Sequence, residues 1–118
     1  MFELSVESHF SSAHRLLNYE GKCENVHGHN WKVEITIAGE TLDKSGMLID
    51  FKILKSTLDE VLDKLDHKDL NSLEELKGIS PSSENIAKFI YDELKQQLPQ
   101  LTQVAVWETE KAKAVYRS

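Results

Sequence analysis

Two stretches of strict alternation limit what this chain can fold into. In residues 2–12, Phe2, Leu4, Val6 and Phe10 share one parity, and Glu3, Ser5, Glu7 and His9 the other. In residues 31–37, Trp31, Val33, Ile35 and Ile37 alternate with Lys32, Glu34 and Thr36. Successive strand side chains point to opposite faces, so each stretch predicts a half-buried strand with one apolar side. Carrying the parity onward reaches histidines: His14 extends the apolar face of the first strand, while His27 and His29 share the parity of the second. If the strands pair as a hairpin across the loop of residues 16–30, all three imidazoles meet at one end and face the same way.

The rest of the chain supplies layers for that hairpin. Residues 39–47 read as a turn region with Asp43-Lys44-Ser45-Gly46 at its tip. Asp50 is the expected N-cap of a helix starting at Phe51, with Phe51, Leu54, Leu58, Val61, Leu62 and Leu65 as its apolar stripe and an end near Asp66-His67. Residues 68–80 are polar. Ser80-Pro81 then fits an N-cap and first-turn proline, with Ser83 as the alternative cap, and Ile86, Ala87, Ile90, Leu94 and Leu98 line a second helix stopped before Pro99. Leu101 to Trp107 and Val115-Tyr116 predict two closing strands around a charged turn at 110–113. The order β-β-α-α-β-β over residues 1–118 is a single α+β domain: a four-stranded antiparallel sheet with two helices on one face. Its open edges invite pairing with another subunit, so a homo-oligomer is expected.

Charge and composition narrow the function. A net charge of −6 argues against non-specific nucleic-acid binding, which needs a positive field. No apolar run reaches the roughly 18–20 residues of a membrane span, and the N-terminus lacks the pattern of an export signal. One cysteine, Cys23, cannot form an intrachain disulfide. The expectation is a cytoplasmic protein with no membrane or nucleic-acid partner.

Three neutral imidazoles with an open fourth position are the ligand set of a catalytic zinc, so His14, His27 and His29 are the candidate Zn2+ ligands. An isolated His-x-His is more often a pair of solvated loop histidines. Cys23 has three readings: a fourth ligand of a structural zinc, an inert buried thiol, or a reactive thiolate. The last needs a partner, and Asp66 beside His67 offers one, since a carboxylate fixes an imidazole's tautomer and favours its charged form. Adjacent Asp-His pairs at helix ends are also common on plain solvated surfaces. Glu108 continues the parity of Val104 and Val106, where a charge is costly unless paired. A carboxylate there can accept from the ring N–H and amino N–H of a 2-amino-4-oxo-pyrimidine together; at a strand end it can equally point into solvent.

Taken together, Phe10-Ser11-Ser12-Ala13-His14-Arg15, Cys-x3-His-Gly-His, Leu48-Ile49-Asp50-Phe51, Leu65-Asp66-His67, Pro81-Ser82-Ser83-Glu84-Asn85-Ile86-Ala87 and Glu108 resemble the 6-pyruvoyl tetrahydropterin synthase superfamily over essentially the whole chain. The three residues between the cysteine and His-Gly-His are similar to its bacterial 6-carboxy-5,6,7,8-tetrahydropterin synthase branch, which acts in queuosine biosynthesis. The resemblance implies a tunnelling fold assembled as trimers or dimers of trimers, with active sites at subunit interfaces. It implies zinc on His14, His27 and His29, proton transfer by Cys23, Asp66 and His67, and a pterin ring anchored by Glu108 with help from Ser82 and Ser83 of a neighbouring chain. The implied reaction converts 7,8-dihydroneopterin triphosphate to 6-carboxytetrahydropterin, releasing acetaldehyde and triphosphate; Arg15, Lys22 and Lys68 are unranked candidates for the triphosphate. Rival readings are a 6-pyruvoyl-tetrahydropterin synthase, a zinc-bearing pterin-binding module without turnover, and a metal-free Cys/His/Asp hydrolase.

Overall fold

The structure is a computed structural model describing residues 1–18 and 25–118. Its first two strands are longer than the apolar alternation alone suggests: β1 spans Phe2–His14 and β2 spans His27–Gly39. They pair antiparallel without a break from Phe2 opposite Gly39 to His14 opposite His27. The strand begins at His27 rather than at Trp31 because the β1 backbone continues to His14 and offers it a partner. α1 (Phe51–Leu62) follows, then a two-residue β3 (Lys68–Asp69), two short 3-10 turns, α2 (Ser83–Lys95), β4 (Leu101–Thr109) and β5 (Ala112–Arg117).

The sheet has five strands in the order β3-β1-β2-β4-β5, not four. The additional strand lies parallel to β1 and pairs only at Ser12 and Ala13. Two residues carry no readable period, so it is invisible as alternation. Among the described residues, no helix is long and apolar enough to cross a membrane.

The C-terminal part of β1's even face and the odd face of β2 meet the helices as expected, whereas Phe2 is exposed. Trp31, Val33, Ile35 and Ile37 of central β2 are fully buried, with Leu54 and Leu58 of α1 and Ile86, Ile90 and Leu94 of α2 against the same face. α1 packs on β1, and α2 on β4 and β5. Burying a large aliphatic side chain stabilises by about 1.5–3 kcal/mol, so this stripe is what fixes the helix positions.

The caps explain two departures from the sequence pattern. Asp50 caps α1 as expected, accepting from Lys52 N at 2.8 Å. α2 is capped by Ser82, accepting from Asn85 N at 3.2 Å, rather than by Ser80 or Ser83. Ser80 Oγ is already taken by Leu17 N at 2.9 Å, a long-range contact that no local pattern reveals. Pro81 therefore precedes the cap instead of opening the first turn. α1 also stops at Leu62, short of Asp66-His67; the chain turns through residues 63–67 and leaves with His67 at φ +55°, a left-handed conformation rare for a residue with a side chain.

Candidate metal centre

Register assembles the site. His14 lies opposite His27, and His29 lies opposite Ser12 one inward-facing step along the hairpin. Trp31, wholly buried, is their floor: its ring stands edge-on to His14 at 4.9 Å and to His29 at 5.4 Å between centroids. Its own polar atom is satisfied, since Nε1–H donates to Ser12 O at 3.2 Å. The three imidazoles crowd one another, with centroids 4.7 Å apart for His14 and His27, 5.4 Å for His14 and His29, and 4.6 Å for His27 and His29.

Glu108 enters from β4. The β4–β5 register slips between Trp107 and Thr109, leaving Glu108 as the extra residue of a bulge, a device that re-aims a side chain beside a functional site. Its Oε1 stands 3.2 Å from His14 Nε2, 3.6 Å from His27 Nε2 and 2.8 Å from His29 Nε2. Among the described residues, His14, His27, His29 and Glu108 form the group of potential metal ligands, with donor atoms all within 4.8 Å of one another.

Their protonation shows what the cluster is built to hold. His14 Nδ1 lies 2.7 Å from Pro81 O, and His27 Nδ1 lies 2.8 Å from Asn25 O. A carbonyl oxygen only accepts, so hydrogen on Nδ1 answers it and leaves Nε2 of a neutral ring a lone pair; His14 Nε2 also meets Glu108 Oε1 at 3.2 Å. This carbonyl-held tautomer is the usual outer support of a metal-binding histidine. His29 Nε2 is buried and, though 2.8 Å from Glu108 Oε1, lacks the alignment of a hydrogen bond. Burial pushes the His29 imidazole below its ordinary value; Glu108 opposes this, and His27 and His14 add to it. His29 is thus favoured in its neutral, ligating form. Converging lone pairs around a carboxylate repel unless a cation sits among them. The set fits a divalent ion of the nitrogen- and oxygen-liking kind, zinc included.

The Asp66–His67 pair is held differently. Asp66 Oδ1 accepts from Ser11 N at 2.8 Å, Oδ2 lies 2.9 Å from His67 Nδ1, and His67 N donates back to Ser11 O at 2.6 Å. The Ser11 N–H bond, then His67, holds the Asp66 carboxyl below its ordinary range. The pair docks on the outer edge of β1, where β3 follows it, and His67 is 83% exposed. These residues bond to each other and to Ser11 rather than to the histidine cluster. Cys23 and Lys22 lie outside the described residues. Arg15 and Lys68 are exposed near the same edge.

Ser83 and Glu108 line one cleft of about 390 Å³ with Glu84, Ala112, Lys113, Ala114 and Val115. A single protomer therefore brings these two together without a neighbour. Ser82 sits just before, its hydroxyl oxygen engaged at the helix cap. A larger groove of about 760 Å³ between β1 and α1 contains none of the candidate residues. The supports Pro81 O, Asn25 O and Ser11 escaped the sequence pattern because they act through backbone atoms, which any residue type carries.

Known proteins match along the whole chain. The family description "6-pyruvoyl tetrahydropterin synthase" matches residues 3–118. The chain is 45% identical to a 6-pyruvoyl tetrahydrobiopterin synthase of Dictyostelium discoideum, over 92% of this chain and 90% of that protein. It is 39% identical to a 6-carboxy-5,6,7,8-tetrahydropterin synthase of Bacillus subtilis, over 98% and 85% respectively. Its fold superposes on the Caenorhabditis elegans 6-pyruvoyl tetrahydropterin synthase structure with a TM-score of 0.89 at 32% identity, covering 99% of this chain and 95% of that one.

Proposed function

This chain belongs to the 6-pyruvoyl tetrahydropterin synthase family and is an enzyme of pterin side-chain chemistry, and within that family we propose a zinc-dependent 6-carboxytetrahydropterin synthase. It converts 7,8-dihydroneopterin triphosphate and water to 6-carboxy-5,6,7,8-tetrahydropterin, acetaldehyde and triphosphate, as a cytoplasmic step of queuosine biosynthesis. The observation that carries the proposal is the convergence of His14, His27, His29 and Glu108 beside a cleft that Glu108 shares with Ser83. The three-residue gap between Cys23 and His27, and the bacterial relatives, favour the carboxy branch.

In this proposal His14, His27 and His29 hold the ion, each through Nε2. Zinc bound there supplies Lewis-acid polarisation of the pterin side-chain oxygens. Glu108 accepts hydrogen bonds from the pterin ring, and Ser83, with Ser82 beside it, lines the ring's cleft. Cys23 removes a carbon-bound proton, and Asp66 orients His67 so that its Nε2 passes protons as general acid or base. The exposed pair on the β1 edge would serve a neighbouring protomer, a reading that the exposure of His67 supports. β3 covers only Ser12 and Ala13 of β1, and β5 is the opposite edge strand, which supports a homo-oligomer built by edge contacts.

The 45% identity to a 6-pyruvoyl tetrahydrobiopterin synthase favours a second reading, in which the side chain is kept as a pyruvoyl group. Incubation with 7,8-dihydroneopterin triphosphate and mass spectrometry of the products separates the two. The carboxy product with acetaldehyde and stoichiometric zinc in freshly purified protein are expected; a pyruvoyl product without acetaldehyde overturns the branch assignment.

A further inference from the structure

Glu108 holds a position that its role as a ring anchor does not explain. Its Oε1 is 2.8–3.6 Å from all three Nε2 atoms. Around zinc with bonds of about 2.0–2.1 Å, neighbouring ligand atoms of a tetrahedron stand about 3.3–3.4 Å apart. Oε1 thus lies within reach of an ion held by the three imidazoles. Hydrogen bonding accounts for one of these contacts, His14 Nε2 with Oε1 at 3.2 Å. A neutral His14 has one ring hydrogen for two acceptors, Pro81 O at Nδ1 and Oε1 at Nε2, and His29 Nε2 is misaligned toward the carboxylate. The bulge at Glu108 places the same side chain on the wall of the Ser83 cleft. A ring clamped by a carboxylate through two parallel N–H bonds needs both oxygens. Binding a metal fixes the direction of the carboxylate and withdraws charge from Oε1, so the two roles compete for one side chain.

We propose that Glu108 is the fourth ligand of the metal while the cleft is empty, and that it leaves the metal when a pterin ring takes its carboxylate. This rests on the metal and pterin assignments above. Its consequence is ordered access. The resting ion is closed by four protein donors, and its reactive position opens after the ring is seated in the cleft. An oxygen ligand lacking the 2-amino-4-oxo ring edge then finds the ion shielded.

The test uses full-length protein stripped of metal and reloaded with Co2+, whose visible absorption reports coordination geometry. Wild type is expected to show the intense band of a four-coordinate ion. Glu108→Gln is expected to bind Co2+ about tenfold or more weakly, with a weaker, shifted band. Pterin bearing no side chain at carbon 6 is then titrated in; it should move the wild-type spectrum toward that of Glu108→Gln and leave the variant's unchanged. Wild-type affinity and spectrum in Glu108→Gln overturn the ligand assignment alone. A wild-type spectrum unmoved by saturating pterin overturns the exchange, and a variant that responds as wild type does assigns the change to direct chelation and overturns it too. Wild-type protein that takes up no metal overturns both this inference and the metal centre beneath it.

Discussion

The core face and the outer edge of β1 near its C-terminal end hold their chemistry in opposite ways. On the core side, His14 is all but buried, stacked edge-on to Trp31 and tied to Pro81 O, and its partners come from β2 and β4. On the outer edge, Asp66 and His67 hang on the Ser11 backbone, with His67 almost wholly in solvent. One group is positioned by the packing of the whole domain, the other by one turn and three hydrogen bonds. A metal needs several donors fixed together before it arrives. The proton relay proposed for Asp66 and His67 would need one imidazole of the right tautomer, free to meet what approaches. Rigidity and exposure are divided accordingly.

The largest expected effect breaks this comparison at its rigid side. His14→Ala removes a ligand and strands a buried carbonyl, so it should abolish metal retention and turnover and cost about 1–3 kcal/mol of stability. His67→Ala should leave metal content and melting temperature at wild-type values while kcat falls by about 10²–10⁴. Metal analysis, calorimetry and steady-state kinetics on the same preparations check the pair. Loss of metal in His67→Ala would place the dyad inside the metal centre and erase the distinction.

The rigid group was also the legible one. Strand parity has a period of two, so His14, His27 and His29 could be placed on the core face from Phe10 and Trp31, whereas Glu108 joins them through a bulge that alternation does not reveal. Antiparallel pairing then fixed which end they share. The exposed group resisted because its placement depends on a helix that ends at Leu62 and a left-handed His67, neither marked by glycine or proline. The cap of α2 is hidden for a related reason: Ser80, Ser82 and Ser83 are alike locally, and Ser80 is engaged by Leu17, 63 residues away. Cys23 lies outside the described residues, and its role stands on the sequence alone.

Ser82 and Ser83 carry the same contrast at a smaller scale. Ser82 Oγ satisfies Asn85 N, whereas Ser83 lines the cleft. Ser82→Ala should lower stability by about 1 kcal/mol through the lost cap. Ser83→Ala should leave the melting temperature unchanged and raise KM for the pterin substrate severalfold with kcat near wild type. Melting curves beside KM values separate fold support from ligand contact; equal destabilisation by both would show that the two serines share the cap.

The smallest effect separates the two regions by pH. His29 and Asp66 both titrate below their ordinary values of 6.5 and 3.8, His29 because burial disfavours its charged form, Asp66 because Ser11 N–H favours its charged form. A group whose folded pKa is depressed contributes stability that is present above its unfolded value and lost as pH falls through the folded one. In metal-free protein, the His29 contribution should therefore begin to fall below pH 6.5, in wild type and Asp66→Asn alike. The Asp66 contribution should persist through that range and disappear only below 3.8, in wild type alone. Melting temperatures from about pH 8 to about pH 3 should show a constant gap between the two proteins that closes at the acid end. A gap that closes well above pH 3.8 would mean that the Ser11 N–H does not hold the carboxylate, and the edge group would then depend on something other than the strand beneath it.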